Sequence, residues 1–206
     1  MMELFISALV TFFVVIDPPG CAPIYAGLTA GVPTVHVRAM AVRAVVIAGA
    51  ILVVFALFGQ DILRALGISL DGFRIAGGIM LFLIALDMVF EKRTQRREDR
   101  AQKLIDDEDV DDVSVFPMAM PMIAGPGSIA SIMLLMSKGT GVERTLVILA
   151  ALAVILAMTL LALLLAAPLM RILGAKIEAV VTRLLGVLLA ALAAQFVIDG
   201  LKASFS

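Results

Sequence analysis

SVFPMAMPMIAGPGSIASIMLLMS, residues 114–137, decides the fold. The stretch is uncharged and long enough to cross a bilayer, whose ~30 Å hydrocarbon core takes about 20 apolar residues of helix. Yet AGPG, residues 124–127, stands in its middle. Proline has no N–H to close a helical hydrogen bond, and its ring clashes with the preceding turn. The glycines beside it adopt conformations that other residues resist. A break is expected there, roughly 16 Å from either end of the stretch at ~1.5 Å per residue. In lipid, each backbone group that a break frees costs several kcal/mol unless it packs in protein or lines a polar cavity.

The device occurs twice. IDPPGCAPI, residues 16–24, aligns with IAGPGSIAS, residues 123–131, so that Pro19-Gly20 falls on Pro126-Gly127. FRIAGGIMLFLIAL, from Phe73, likewise lies over TRLLGVLLAALAAQ, from Thr182, with Arg74 on Arg183 and Gly77 on Gly186. Leu66-Gly67 matches Leu173-Gly174. The chain reads as two copies of one unit.

The solvent is lipid. Of 206 residues 62% are hydrophobic, against about half in a soluble domain, and mean hydropathy is +1.11. Six spans are expected, at residues 4–30, 44–59, 72–90, 114–137, 145–170 and 179–198. The N-terminus has no basic start and no small-residue cleavage site before its Pro-Gly run, so it reads as the first span and not as a signal peptide. Residues 1–90 hold the first three spans and residues 114–206 the second three. Three is odd, so the second copy enters the membrane from the opposite side. The expected fold is an all-α membrane protein of two inverted three-helix repeats, with the first and fourth helices broken.

Between the halves lies a charged linker, residues 91–113, which carries 15 of the 33 charged residues. Its side of the membrane holds eleven Lys and Arg, including Arg38, Arg43 and Arg183; the other side, with both termini, holds five. Basic loops stay in the cytoplasm. The linker is therefore expected inside and both termini outside a bacterial inner membrane.

Inverted repeats with interrupted helices in matching positions point to the binding site of a secondary transporter. Each break should start a half-helix, near Gly20 and near Gly127, with free N–H groups and a positive dipole end. Such ends attract a small anionic group, most simply a carboxylate. Cys21, Ala22, Ser128 and Ala130 are small and leave room for a small ligand. Asp17 stands immediately before the first break and is expected to act mainly as an N-cap, with proton carriage or an ammonium contact as its alternative roles. Gln195, deep in the last span, is either an interhelical hydrogen bond or a ligand contact.

VVIDPPGCAPIY, PMAMPMIAGPGSIASIM and FRIAGGIMLFLIAL together resemble the MarC family of bacterial inner-membrane proteins, also called neutral amino acid transporters. The likeness runs from Phe12 to Leu201. It implies a six-span fold of two inverted halves and transport of small neutral amino acids such as glycine and alanine, coupled in some members to an ion gradient, taken as protons. By resemblance Pro19, Gly20 and Pro23 belong to the first break motif, and Pro117, Pro121, Gly125, Pro126 and Gly127 to the second. Asp17 holds a place that takes Asp or Asn. Cys21 replaces the usual Asn or small residue.

Other classes fit less well. Net charge is -1, which gives no case for nucleic acid. One cysteine, Cys21, and one histidine, His36, make neither a zinc site nor a Cys-His pair, and no cofactor is expected. Asp17 and Asp87 stand alone at their depths, which argues against an intramembrane enzyme. A membrane channel or a non-transporting scaffold is the alternative, although the spans carry few polar residues for a wet pore.

Overall fold

The computed structural model describes residues 1–90, 112–137, 139 and 141–205, with side chains described in all of these save 169–179. Residues 91–111, most of the linker, lie outside them. Every element is helical: α1 (Met2–Ile16), α2 (Pro18–Leu28), α3 (Thr34–Ala65), α4 (Leu70–Val89), α5 (Ser114–Ile123), α6 (Pro126–Ser137), α7 (Val142–Leu164) and α8 (Ala166–Ser204). Five helical stretches are long and apolar enough to cross a membrane, the first of them α1 with α2, and the bent pair α5–α6 makes up to six. Large apolar side chains such as Val46, Phe58, Leu83 and Leu161 stand on the outside. Lipid is the solvent that tolerates such a surface.

Local chemistry places several boundaries. Ser69 accepts the Gly72 N–H at 3.1 Å and caps α4. Gly67, at φ 69°, ends α3 in a left-handed turn, and the Ile68 N–H returns to the Leu63 carbonyl, the Schellman pattern. One expected boundary moves. The fifth span was read to residue 170, but α7 stops at Leu164 and residues 166–170 open α8. Pro168 is the third residue of α8, where the missing N–H has no helical partner to lose.

The halves interlock. α1 packs on α6 and α7, and α3 on α5, α6 and α7, while the largest interface is α4 on α8. That interface is close because glycines line it. A Cβ on Gly78 would fall 2.7 Å from Val197, one on Gly186 2.9 Å from Met88, and one on Gly200 2.8 Å from Ile75. Small residues let membrane helices approach without a hydrophobic driving force. As α4 advances its contacts retreat along α8, so the two helices are antiparallel.

Two sides can be named from contacts. Arg43 pairs with Asp112, the first described residue of the linker, and Tyr25 bonds Val37; these mark a linker side. Arg74 bonds Ser137 on the opposite, terminus side.

Candidate functional site

At the first break the backbone turns on one residue. Asp17 sits at φ 59°, ψ 65°, between α1 and α2, in the left-handed region, which few non-glycine residues adopt and which Asp tolerates better than most. Its carboxylate accepts the Gly20 N–H at 3.1 Å, and its carbonyl accepts the Cys21 N–H at 3.0 Å. Pro18 and Pro19 have no N–H. The α2 N-terminus therefore has no donor left over, which corrects the expectation of free N–H groups at both breaks. Two prolines remove two donors, and Asp17 with its own backbone takes the others. The Cys21 thiol points back to the Ile16 carbonyl at 3.5 Å, serving the acceptor that Gly20 leaves. Asp17 and Cys21 are 2% and 0% exposed. Pro19 and Pro23 are half-buried on α2.

The second break is chemically different. α5 is wide-turned and irregular, with extended backbone at Phe116 and Met120 before Pro117 and Pro121. The chain bends by 50° between α5 and α6. A Cβ on Gly125 would fall 2.2 Å from the Pro121 carbonyl oxygen, so no other residue fits there. Pro126 opens α6 and is exposed, while Gly127 and Ser128 are buried. The Ile129 N–H returns to the Gly125 carbonyl. No acceptor meets the Gly127 or Ser128 N–H among the described residues. One turn along the same face, Ser131 is fully buried and its hydroxyl has no partner among the described residues.

The two breaks lie close together. A Cβ on Gly127 would fall 3.2 Å from Val15, two residues before Asp17, and 2.7 Å from Ile84 of α4. The structure thus gathers the residues around Asp17–Cys21 and Gly125–Ser128 into one buried region. Gln195 is not among them. It is exposed on α8 and its amide donates to Asp199 at 2.6 Å.

A family model described as the MarC family integral membrane protein matches residues 2–205. The chain belongs to the MarC family. Among its MarC relatives, a UPF0056 membrane protein of Methanocaldococcus jannaschii is 35% identical over 98% of this chain and 97% of its own. One from Archaeoglobus fulgidus is 34% identical over 97% and 93%. YvbG of Bacillus subtilis, also named a UPF0056 membrane protein, is 31% identical over 100% and 97%. No solved structure matches.

This MarC chain also holds a feature that sequence reasoning missed, at the far end of α6. Arg144 of α7 donates to the Leu135 carbonyl at 3.2 Å, Gln60 of α3 to Met136 at 3.2 Å, and Arg74 of α4 to Ser137 at 3.0 Å. Three elements hold three consecutive carbonyls of one half-helix. Two of the donors are guanidinium groups, the favourable charge for a helix C-terminus. Arg74, the residue that aligns with Arg183 in the repeat, is paired with Asp71 at 3.0 Å and mostly buried. The signal in the sequence was weak: Gln60 and Arg144 each stand at the end of an apolar run, where polar residues are ordinary.

Proposed function

We propose that this protein is an inner-membrane secondary transporter or exporter of small neutral amino acids, glycine and alanine foremost. The observation that carries this is the bare N-terminus of α6, buried beside the first break. The Gly127 and Ser128 N–H groups form a donor pair at the positive end of a half-helix. The arginines at its other end reinforce that polarity. The solute's carboxylate docks there. Asp17, already bonded to Gly20, repels a carboxylate from the α2 end and turns the ammonium of the zwitterion toward itself. The contact between Gly127 and Val15 limits the solute to a small side chain.

The antiparallel packing of α4 on α8, the third spans of the two halves, supports an inverted repeat and with it alternating access around the two breaks. The basic count places the linker in the cytoplasm and the termini outside, and a proton gradient drives the cycle. Counterflow of labelled glycine in liposomes holding the pure protein tests the reading. Exchange that unlabelled alanine inhibits is expected; a pore would pass the label without counterflow, and a scaffold would pass none.

A further inference from the structure

On the linker side a cavity of about 360 Å³ opens between the α2–α3 turn and the α7–α8 junction. Thr29, Thr34 and Arg38 line one wall and Leu163, Ala167 and Pro168 the other. Arg38 is exposed, and no carboxylate pairs with it among the described residues. Tyr25 also lines the cavity, although its side chain is 0% exposed. It is the sole tyrosine of the chain.

Two hydrogen bonds hold this ring's place. The Tyr25 hydroxyl donates to the Val37 carbonyl in the first turns of α3, on the wall that Thr34 and Arg38 share. The Thr29 hydroxyl donates to the Tyr25 carbonyl at 2.7 Å and steadies the last turn of α2. Four residues before Tyr25, on the same face of α2, is Cys21 of the first break. Moving along α2 from the cavity, the first obstacle is Tyr25 and the next turn is the break. On the terminus side Gln60, Arg74 and Arg144 instead bond the last carbonyls of α6.

We propose that this cavity is the linker-side mouth of the solute path and that Tyr25 is the gate between it and the breaks. The proposal rests on the transporter reading above. The mouth takes small zwitterions: Arg38 draws the carboxylate, and the Thr29 and Thr34 hydroxyls supply the polar wall. The gate swings when the Tyr25 hydroxyl leaves Val37. One hydrogen bond is a small enough latch to open and close in each cycle.

Cys21 is the only thiol in the chain and therefore reports the gate without an engineered cysteine. A membrane-impermeant cationic thiol reagent is applied to right-side-out and to inverted membrane vesicles, and the rate of Cys21 modification is measured for the natural chain, Tyr25→Phe and Tyr25→Ala. The natural chain is expected to react slowly from both sides. Tyr25→Phe, which loses the latch alone, reacts about fivefold faster, the worth of one hydrogen bond, and from the linker side only. Tyr25→Ala reacts faster still from that side. If Tyr25→Ala fails to fold, Tyr25→Phe decides. Unchanged rates, or equal acceleration from both sides, overturn the gate. Saturating glycine added to Tyr25→Phe separates the two readings: protection of Cys21 supports a solute site at the breaks. One-sided acceleration without protection keeps the gate and removes that site.

Discussion

Asp17 and Gly20 exclude any larger pairing. The Asp17 carboxylate accepts the Gly20 N–H at 3.1 Å, and a Cβ on Gly20 would fall 2.2 Å from the other oxygen of the same carboxylate. The residue that caps α2 thus dictates the residue that it caps. Gly20→Ala should push Asp17 off the helix end and destabilise the protein by about 0.5–2 kcal/mol, the range of a lost N-cap. Asp17→Ala should cost a similar amount. Because both remove one bond, the double variant should cost clearly less than their sum. Asp17→Asn keeps an acceptor oxygen and should stay near the natural stability. Thermal unfolding in detergent measures all four; additive losses would break the link.

Arg74 makes a different prediction. It joins Asp71, at 3.0 Å, to the last carbonyl of α6. Arg74→Met removes a charge-assisted bond and should lower stability by roughly 2 kcal/mol. Arg74→Lys keeps one charged donor and should recover part of it. If α6 must be held for its N-terminus to bind solute, the affinity for glycine should follow the same order. An unaltered affinity in a destabilised Arg74→Met would make the clamp purely structural.

Outside the spans, the Asp112 carboxyl is held below the ordinary carboxylate range, chiefly by hydrogen bonding from Ser114, with Arg43 adding its charge. A depressed folded-state value stabilises above the unfolded value of about 3.9 and is lost as pH falls through the folded value. Asp112→Asn should therefore be less stable than the natural chain at neutral pH, with the gap closing below about pH 4. The pair is partly exposed, so salt should narrow the gap as well. Melting curves across that window read both effects.

Sequence alone pointed to the two Pro-Gly stretches, where the structure has the α1–α2 junction at Asp17 and a 50° bend between α5 and α6. It did not locate the close α4–α8 contact: Gly77, which aligns with Gly186 in the repeat, approaches Leu134 of α6, whereas Gly78, Gly186 and Gly200 carry the contact. It misjudged the α2 end. Counting a helix N-terminus as a set of free donors ignores that Pro18 and Pro19 donate nothing and that the neighbouring Asp17 folds back. It did not find the α6 clamp, because Gln60, Arg74 and Arg144 come from three distant segments and meet only in three dimensions. Gln195 looked buried by depth. Depth along a span does not say which face a residue takes, and Gln195 faces outward.

The eleven-to-five distribution of Lys and Arg predicts the orientation. A reporter inserted after Glu98 should read cytoplasmic, and one fused after Ser206 external. The opposite pattern would reverse the sides. If the halves are an inverted pair, the two Pro-Gly stretches keep their places, because the centre of such a pair lies at the same depth either way.

The binding mode is the last prediction. If the carboxylate docks on the Gly127 and Ser128 N–H groups, its donors are backbone and cannot be deleted by changing a side chain. Shape can be changed instead. A Cβ on Gly127 would already fall 2.7 Å from Ile84 and 3.2 Å from Val15, so Gly127→Val should force the first turn of α6 away from the first break. Glycine binding should fall at least tenfold, about 1.4 kcal/mol, while insertion into the membrane persists. Because that contact could also disturb packing, ligand chemistry supplies the second arm. Glycinamide keeps the ammonium and the size of glycine but lacks the carboxylate, and it should compete poorly for the natural protein. Alanine keeps the carboxylate and should compete well. Equal competition by glycine and glycinamide would remove the carboxylate from the α6 end even in a protein that transports glycine. The solute would then have to be held by its ammonium at Asp17.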